Sequence, residues 1–159
     1  MKDWHQYKQE VSEKESKWDN RFLDLAEVVA SWSKDPSTKT GAVIVRPDLS
    51  VASVGFNGFP KGMPDSPEAY HNREEKYSRI VHCEVNAQIH AHGPVDGYTL
   101  YTIPFMSCDR CAIQMLQAGI ARFVFPRASD EALDRWSESF AKTIRYFEEC
   151  GVEYTEIVR

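Results

Sequence analysis

Apolar positions recur along this chain with two periods, and their alternation outlines most of its elements. Phe22, Leu23, Leu25, Ala26, Val29, Ala30 and Trp32 form the broad stripe of an amphipathic helix, which Asp19 or Asn20 can cap and which stops before Pro36. Upstream, Trp4, Val11 and Trp18 stand seven residues apart with Tyr7 beside them. Residues 1–18 therefore predict a marginal helix with one aromatic seam, an arm packed on its own domain or on a neighbouring subunit. The run from Gly41 to Arg46 predicts a buried strand, Pro47-Asp48-Leu49-Ser50 a turn, and Val51 to Phe56 its antiparallel return.

From Gly55 to Pro64 the density of Gly and Pro opposes regular structure and lets backbone approach a ligand closely. Val85, Ala87, Ile89 and Ala91 predict a helix between Val81 and about His92, and Thr99 to Ile103 a strand. A helix from Asp109 to Ala118 is closed by Gly119, and Ala121 to Phe125 is again a strand. Ser129 or Asp130 caps a long helix that runs to about Glu149 and is closed by Gly151; Val152 to Val158 alternates as a last strand. Strands alternating with helices imply parallel pairing and right-handed crossovers. The expected fold class is α/β: three layers, α/β/α, with a mixed five-stranded sheet and helices on both faces. At 159 residues the chain suits one domain, with residues 19–159 as its core.

Composition narrows the function. No apolar run reaches transmembrane length and Met1 to His5 start no hydrophobic leader, so a cytoplasmic protein without membrane contact is expected. A net charge of −5 and the lack of a Lys/Arg cluster count against a polynucleotide partner, whereas a small anion needs only one or two cations. Four cysteines are too few for a disulfide framework, and two of them, Cys108 and Cys111, have metal-ligand spacing. Cys83 and Cys150 are expected in packing, and His5, His71, His90 and His92 on solvated surface.

His82-Cys83-Glu84 supplies the partners for that pair. Residues two apart in mid-helix diverge, so His82 and Glu84 serve one site only at a helix start, where His82 is not yet helical. Cys108 and Cys111 in a first helical turn, capped by Ser107, share a face on which the helix dipole stabilises thiolates. One His and two Cys leave the fourth tetrahedral position of a zinc ion open for water, and a nearby glutamate can carry its proton. Singly, each residue has an ordinary reading: a surface histidine, a solvated carboxylate, a redox pair or half of a structural zinc site. Together they favour an open catalytic site.

His82-x-Glu84 with Cys108-x-x-Cys111 resembles the signature of the zinc-dependent cytidine and deoxycytidylate deaminases, and the likeness extends from about Ser33 to Phe125. Ser33-Lys34-Asp35-Pro36-Ser37-Thr38-Lys39-Thr40-Gly41-Ala42, Gly55-Phe56-Asn57-Gly58-Phe59-Pro60 and His82-Cys83-Glu84-Val85-Asn86-Ala87 are similar to blocks of the deoxycytidylate (dCMP) branch. Ser107 departs from the proline that usually precedes the first cysteine. The resemblance implies a cytidine deaminase-like fold and a catalytic Zn2+ on His82, Cys108 and Cys111. It further implies a water that attacks C4 of cytosine while Glu84 moves protons to N3 and to the departing ammonia. Asn57 is then the residue for the sugar, and Asn86 orders the site or meets the phosphate. It also implies a homohexamer activated by dCTP and inhibited by dTTP, with Mg2+ accompanying the triphosphate and Lys34 and Gly58 in the effector site. Deaminases of other cytosine nucleotides, of nucleosides or of nucleic acid remain alternatives, as does a non-enzymatic zinc module.

Overall fold

The computed structural model describes residues 13–159. Trp4, Tyr7 and Val11 of the expected arm, and His5, lie outside them. Eleven elements follow in order among the described residues: α1 (Glu13–Ala30), β1 (Gly41–Val45), β2 (Val51–Phe56), α2 (Pro67–His71), α3 (Arg73–Arg79), α4 (Cys83–His90), β3 (Thr99–Ile103), α5 (Asp109–Gln117), β4 (Arg122–Pro126), α6 (Asp130–Cys150) and β5 (Glu153–Ile157). The five strands form one mixed sheet in the order β2-β1-β3-β4-β5. β1 is antiparallel to both β2 and β3, and the β3–β4 and β4–β5 pairs are parallel.

Alternation along β1 divides the core in two. Val43 and Val45 join Phe22, Leu23 and Ala26 of α1 on one face. Ala42 and Ile44 turn to the other face, where Ala87 of α4, Ala112 and Met115 of α5, and Phe140, Ile144 and Phe147 of α6 cover the sheet. The long helix α6 ends as its sequence requires, with the Ser129 hydroxyl accepting from the Ala132 N–H (3.2 Å) and Gly151 in the left-handed region at φ 64°.

Two glycines set how closely helices approach. A Cβ at Gly41 would overlap the Ala26 carbonyl oxygen of α1, and one at Gly55 would overlap the Ala87 nitrogen and Cys83 carbonyl of α4. Because Gly55 seats the first turn of α4, its substitution reaches the site as well as the core. Gly55→Ala is expected to destabilise the protein by about 3 kcal/mol through backbone displacement, read as a fall in thermal midpoint.

Four local expectations are corrected. Asp19 does not cap a helix: α1 runs through it from Glu13. Its buried carboxylate is drawn into tertiary pairing instead, accepting from the Tyr101 hydroxyl (2.7 Å) and from both terminal nitrogens of Arg122 (2.8 and 2.7 Å). Burial, then this contact, pushes the Tyr101 phenol well above its usual range. Trp32 falls beyond the end of α1, 53% exposed, edge-on to Phe56. Cys150, at the last position of α6, is exposed rather than packed, while Cys83 is buried. The cap of α5 is the Cys108 side chain and not Ser107, as described below. His71, His90 and His92 are exposed.

The helices α2 and α3 lack a periodic apolar stripe and are pinned by separate anchors. Tyr70 stacks on Phe59 at 4.3 Å, the Asn72 side chain accepts from Glu75 N–H at 3.2 Å, and Lys76 is buried against Asp35. No helix among the described residues is long and apolar enough to cross a membrane.

Candidate active site

Two helix starts meet on the α4–α5 side of the sheet. His82 is the N-cap of α4 with extended backbone (φ −70°, ψ 155°), so Cys83 and Glu84 occupy the first turn and His82 and Glu84 point to one site. Cys108 is the N-cap of α5 (φ −64°, ψ 162°), and its sulfur accepts from the Cys111 N–H at 3.4 Å. Ser107, one residue earlier, cannot reach that N–H. Its hydroxyl is buried without a hydrogen-bond partner among the described residues, while its carbonyl accepts from Thr143 at 2.9 Å. The Cys108 sulfur makes the capping contact expected of the serine and stands beside His82 Nδ1, as Cys111 Sγ does.

His82 Nδ1, Cys108 Sγ and Cys111 Sγ lie within 4.8 Å of one another. The imidazole nitrogen is 3.5 Å from Cys108 Sγ and 3.2 Å from Cys111 Sγ. Zinc–sulfur and zinc–nitrogen bonds of ordinary length at a tetrahedral angle put those atoms about 3.6 Å apart, so the triad is nearly preformed for such an ion. Without a metal, the three donors share protons among themselves. The Cys111 S–H, helped by His82, holds the Cys108 thiol well below its usual range, and the contact with Cys108 in turn raises Cys111 and His82.

Glu84 is buried beside the triad. The Cys83 thiol donates to its Oε1 at 2.6 Å, and Oε2 has no partner among the described residues. Burial, then the neighbouring carboxylate, pushes the Cys83 thiol far up, which keeps it a donor. An orphaned carboxylate oxygen is costly unless something absent from the protein itself satisfies it. A water on a metal held by the triad is such a group.

His82, Cys108 and Glu84 line one cavity, with Cys111 buried behind them. Phe105, Met106, Trp136 and Phe140 give it an apolar wall, and Ser37, Thr38, Thr40 and Asn57 a polar one. Arg73 and Arg135 line it as cations, Arg135 with its guanidinium 5.5 Å from the Trp136 ring centre. These two arginines, from α3 and α6, carry no motif. Only their convergence in space singles them out.

Of the other residues named from sequence, Asn57 lines the cavity. Both its amide hydrogens go to the chain, to Asp35 Oδ2 (3.3 Å) and Thr38 O (2.9 Å), and its Oδ1 accepts from Thr40 N–H (2.9 Å) with one lone pair to spare. Asn86 does not line the cavity; it donates to Phe56 O (2.8 Å) and Val81 O (3.5 Å), tying the start of α4 to the end of β2. Gly58 exchanges both backbone hydrogen bonds with Val81, immediately before His82. Lys34 is exposed and paired with Asp65 at 2.7 Å, and is not among the residues that line the cavity.

A mixed sheet carrying a His/Cys/Cys triad and a buried glutamate at two helix starts defines the architecture of a metal-dependent deaminase. Residues 16–126 match the cytidine and deoxycytidylate deaminase zinc-binding region. The chain belongs to that family of hydrolases. A protein of Aliivibrio fischeri described as an uncharacterized deaminase in the luxG 3' region is 41% identical over 140 residues, covering 88% of this chain and 93% of the relative. Human deoxycytidylate deaminase is 30% identical over 147 residues, covering 89% and 80%. The structure of the dCMP deaminase of cyanophage S-TIM5, in complex with dCMP and dUMP, superposes with a TM-score of 0.69 at 19% identity, covering 93% of this chain and all of that one. At that identity the likeness speaks to the fold.

Proposed function

We propose that this protein is a zinc-dependent deoxycytidylate deaminase, hydrolysing dCMP to dUMP and ammonia. The observation that carries the reading is the unpartnered, buried Oε2 of Glu84 beside a preformed His82/Cys108/Cys111 triad. Zinc, when bound, supplies the Lewis acidity that makes water a nucleophile near neutral pH. Glu84 accepts the proton that water loses as its oxygen adds to C4, and delivers it to N3. Glu84 then takes the proton of the hydroxyl now on C4 and passes it to the exocyclic nitrogen, so the C4–N bond breaks as the C4 carbonyl forms and ammonia leaves. Cys83 holds Oε1, which leaves Oε2 as the oxygen that handles the proton. The aromatic wall suits a planar base, and the spare lone pair of Asn57 Oδ1 suits a sugar hydroxyl.

Arg73 and Arg135 are assigned to the phosphate, because a dianion gains most from guanidinium donors. Arg73→Ala and Arg135→Ala are each expected to raise KM for dCMP about tenfold, the worth of one charge-assisted hydrogen bond, and to leave KM for deoxycytidine unchanged. Steady-state kinetics on both substrates checks this. Ammonia release from deoxycytidine, dCMP, dCDP, dCTP, CMP and single-stranded DNA tests the function itself, and no turnover of any mononucleotide overturns it.

Regulation belongs to the same proposal: a homohexamer in the cytoplasm, activated by dCTP and inhibited by dTTP with Mg2+, using Lys34 and Gly58. It is supported by the family alone. A flat response of dCMP turnover to both triphosphates, or a monomer by light scattering, removes it.

A further inference from the structure

Asp35 and Lys76 form a buried ion pair on the cavity wall. Lys76 Nζ lies 2.9 Å from Asp35 Oδ1 and 2.8 Å from Oδ2, with side chains 10% and 3% exposed. Lysine is seldom buried so deeply, and an apolar pair of the same size would hold two segments together as stably or more so. Adhesion alone therefore does not explain it. The carboxylate does more than meet the lysine: Oδ1 accepts from Ser37 N–H (2.8 Å) and Thr38 N–H (3.4 Å), and Oδ2 accepts from Asn57. Asn57 continues the chain of bonds to Thr40 N–H, and Ser33 donates to Asn57 O at 2.8 Å. The charge pair is thus joined, directly or through Asn57, to every residue of the polar wall.

The lysine end is equally placed. Lys76 sits on α3 between Arg73 and Tyr77, and both of these line the cavity. Ser37, Thr38, Thr40 and Asn57 line it from the loop side, and neither segment's lining residues belong to the sheet. The metal triad and Glu84 are built separately, on the starts of α4 and α5.

We propose that Lys76 is a positioning residue for substrate. Its bond to Asp35 fixes the α3 wall against the loop wall, and so fixes the distance between the groups that take the two sides of the sugar-phosphate. The inference rests on the cavity being the mononucleotide site proposed above. Its signature is a split between kinetic constants: weaker substrate binding with the reacting end intact.

The test is dCMP kinetics, zinc content and thermal unfolding of Lys76→Met, Lys76→Arg and the double variant Asp35→Asn/Lys76→Met. Lys76→Met is expected to raise KM about tenfold, with kcat within about threefold of the parent and zinc undiminished. Lys76→Arg is expected to recover most of the KM, since it keeps the charge and the donors. Should Lys76→Met fail to fold because Asp35 is left buried without a counter-charge, the double variant removes both charges and is expected to show the same rise. A folded, zinc-loaded Lys76→Met or double variant with the parent's KM overturns the proposal, as does a fall in kcat at unchanged KM. If the parent protein turns over no cytosine mononucleotide, the functional reading fails and this one with it. An active parent with unaltered variants overturns the positioning role only.

Discussion

Glu84→Gln is expected to keep the zinc content of the parent protein and to lose about 10²–10⁴-fold in turnover, the range general acid–base catalysis contributes. The substitution is nearly isosteric, and the amide oxygen can still accept from the Cys83 thiol that now holds Oε1. What it removes is an oxygen that takes up and gives back a proton at the position where Oε2 lies buried without a partner. Glu84 is not one of the three clustered metal-type donors, so metal binding is spared. Ammonia release and elemental analysis of the same preparation check both halves. Activity within tenfold of the parent would take Glu84 out of the reaction.

Cys111→Ala is expected to abolish both zinc retention and turnover, since two remaining ligands cannot define an open tetrahedral site. Acid should do by titration what the substitution does by deletion. The contact with Cys108 raises His82 and Cys111 above their usual ranges, and both must shed a proton to ligate. Protons therefore compete for the site as pH falls, and zinc affinity falls with them. The Cys108 thiolate, already held low, adds little to that dependence. Dialysis in neutral and mildly acidic buffers, followed by metal analysis, should show retention at neutral pH and progressive release below it. Retention that is flat across this range would mean that the ion is not held by His82 and the two thiols.

The strands, the long helices and the clustering of His82 with Cys108 and Cys111 were legible because each has a local signature: a period of two or of 3.6, a cap, or a spacing of two or three residues. Glu84 was legible through its relation to His82 at a helix start. Where long-range partners decide, local signals mislead. Asp19 has the composition of a cap, yet Arg122, 103 residues away, claims it within a continuous helix. Ser107 has the better capping side chain, yet Cys108 takes the position. The helices α2 and α3 have too few apolar residues for a period, because their anchors are single contacts with remote segments. Arg73 and Arg135, which no motif marks, come to one cavity only in the folded chain.

The Arg122 guanidinium has one more implication. It binds Asp19 of α1, which holds Tyr101 of β3, and it reaches Thr155 of β5 at 3.1 Å from its own place on β4. One side chain thus joins a helix to three strands on the face that α1 covers, while the triad and Glu84 stand at helix starts on the face opposite. Loss of the Arg122–Asp19 contact would fall first on the packing of α1 against the sheet.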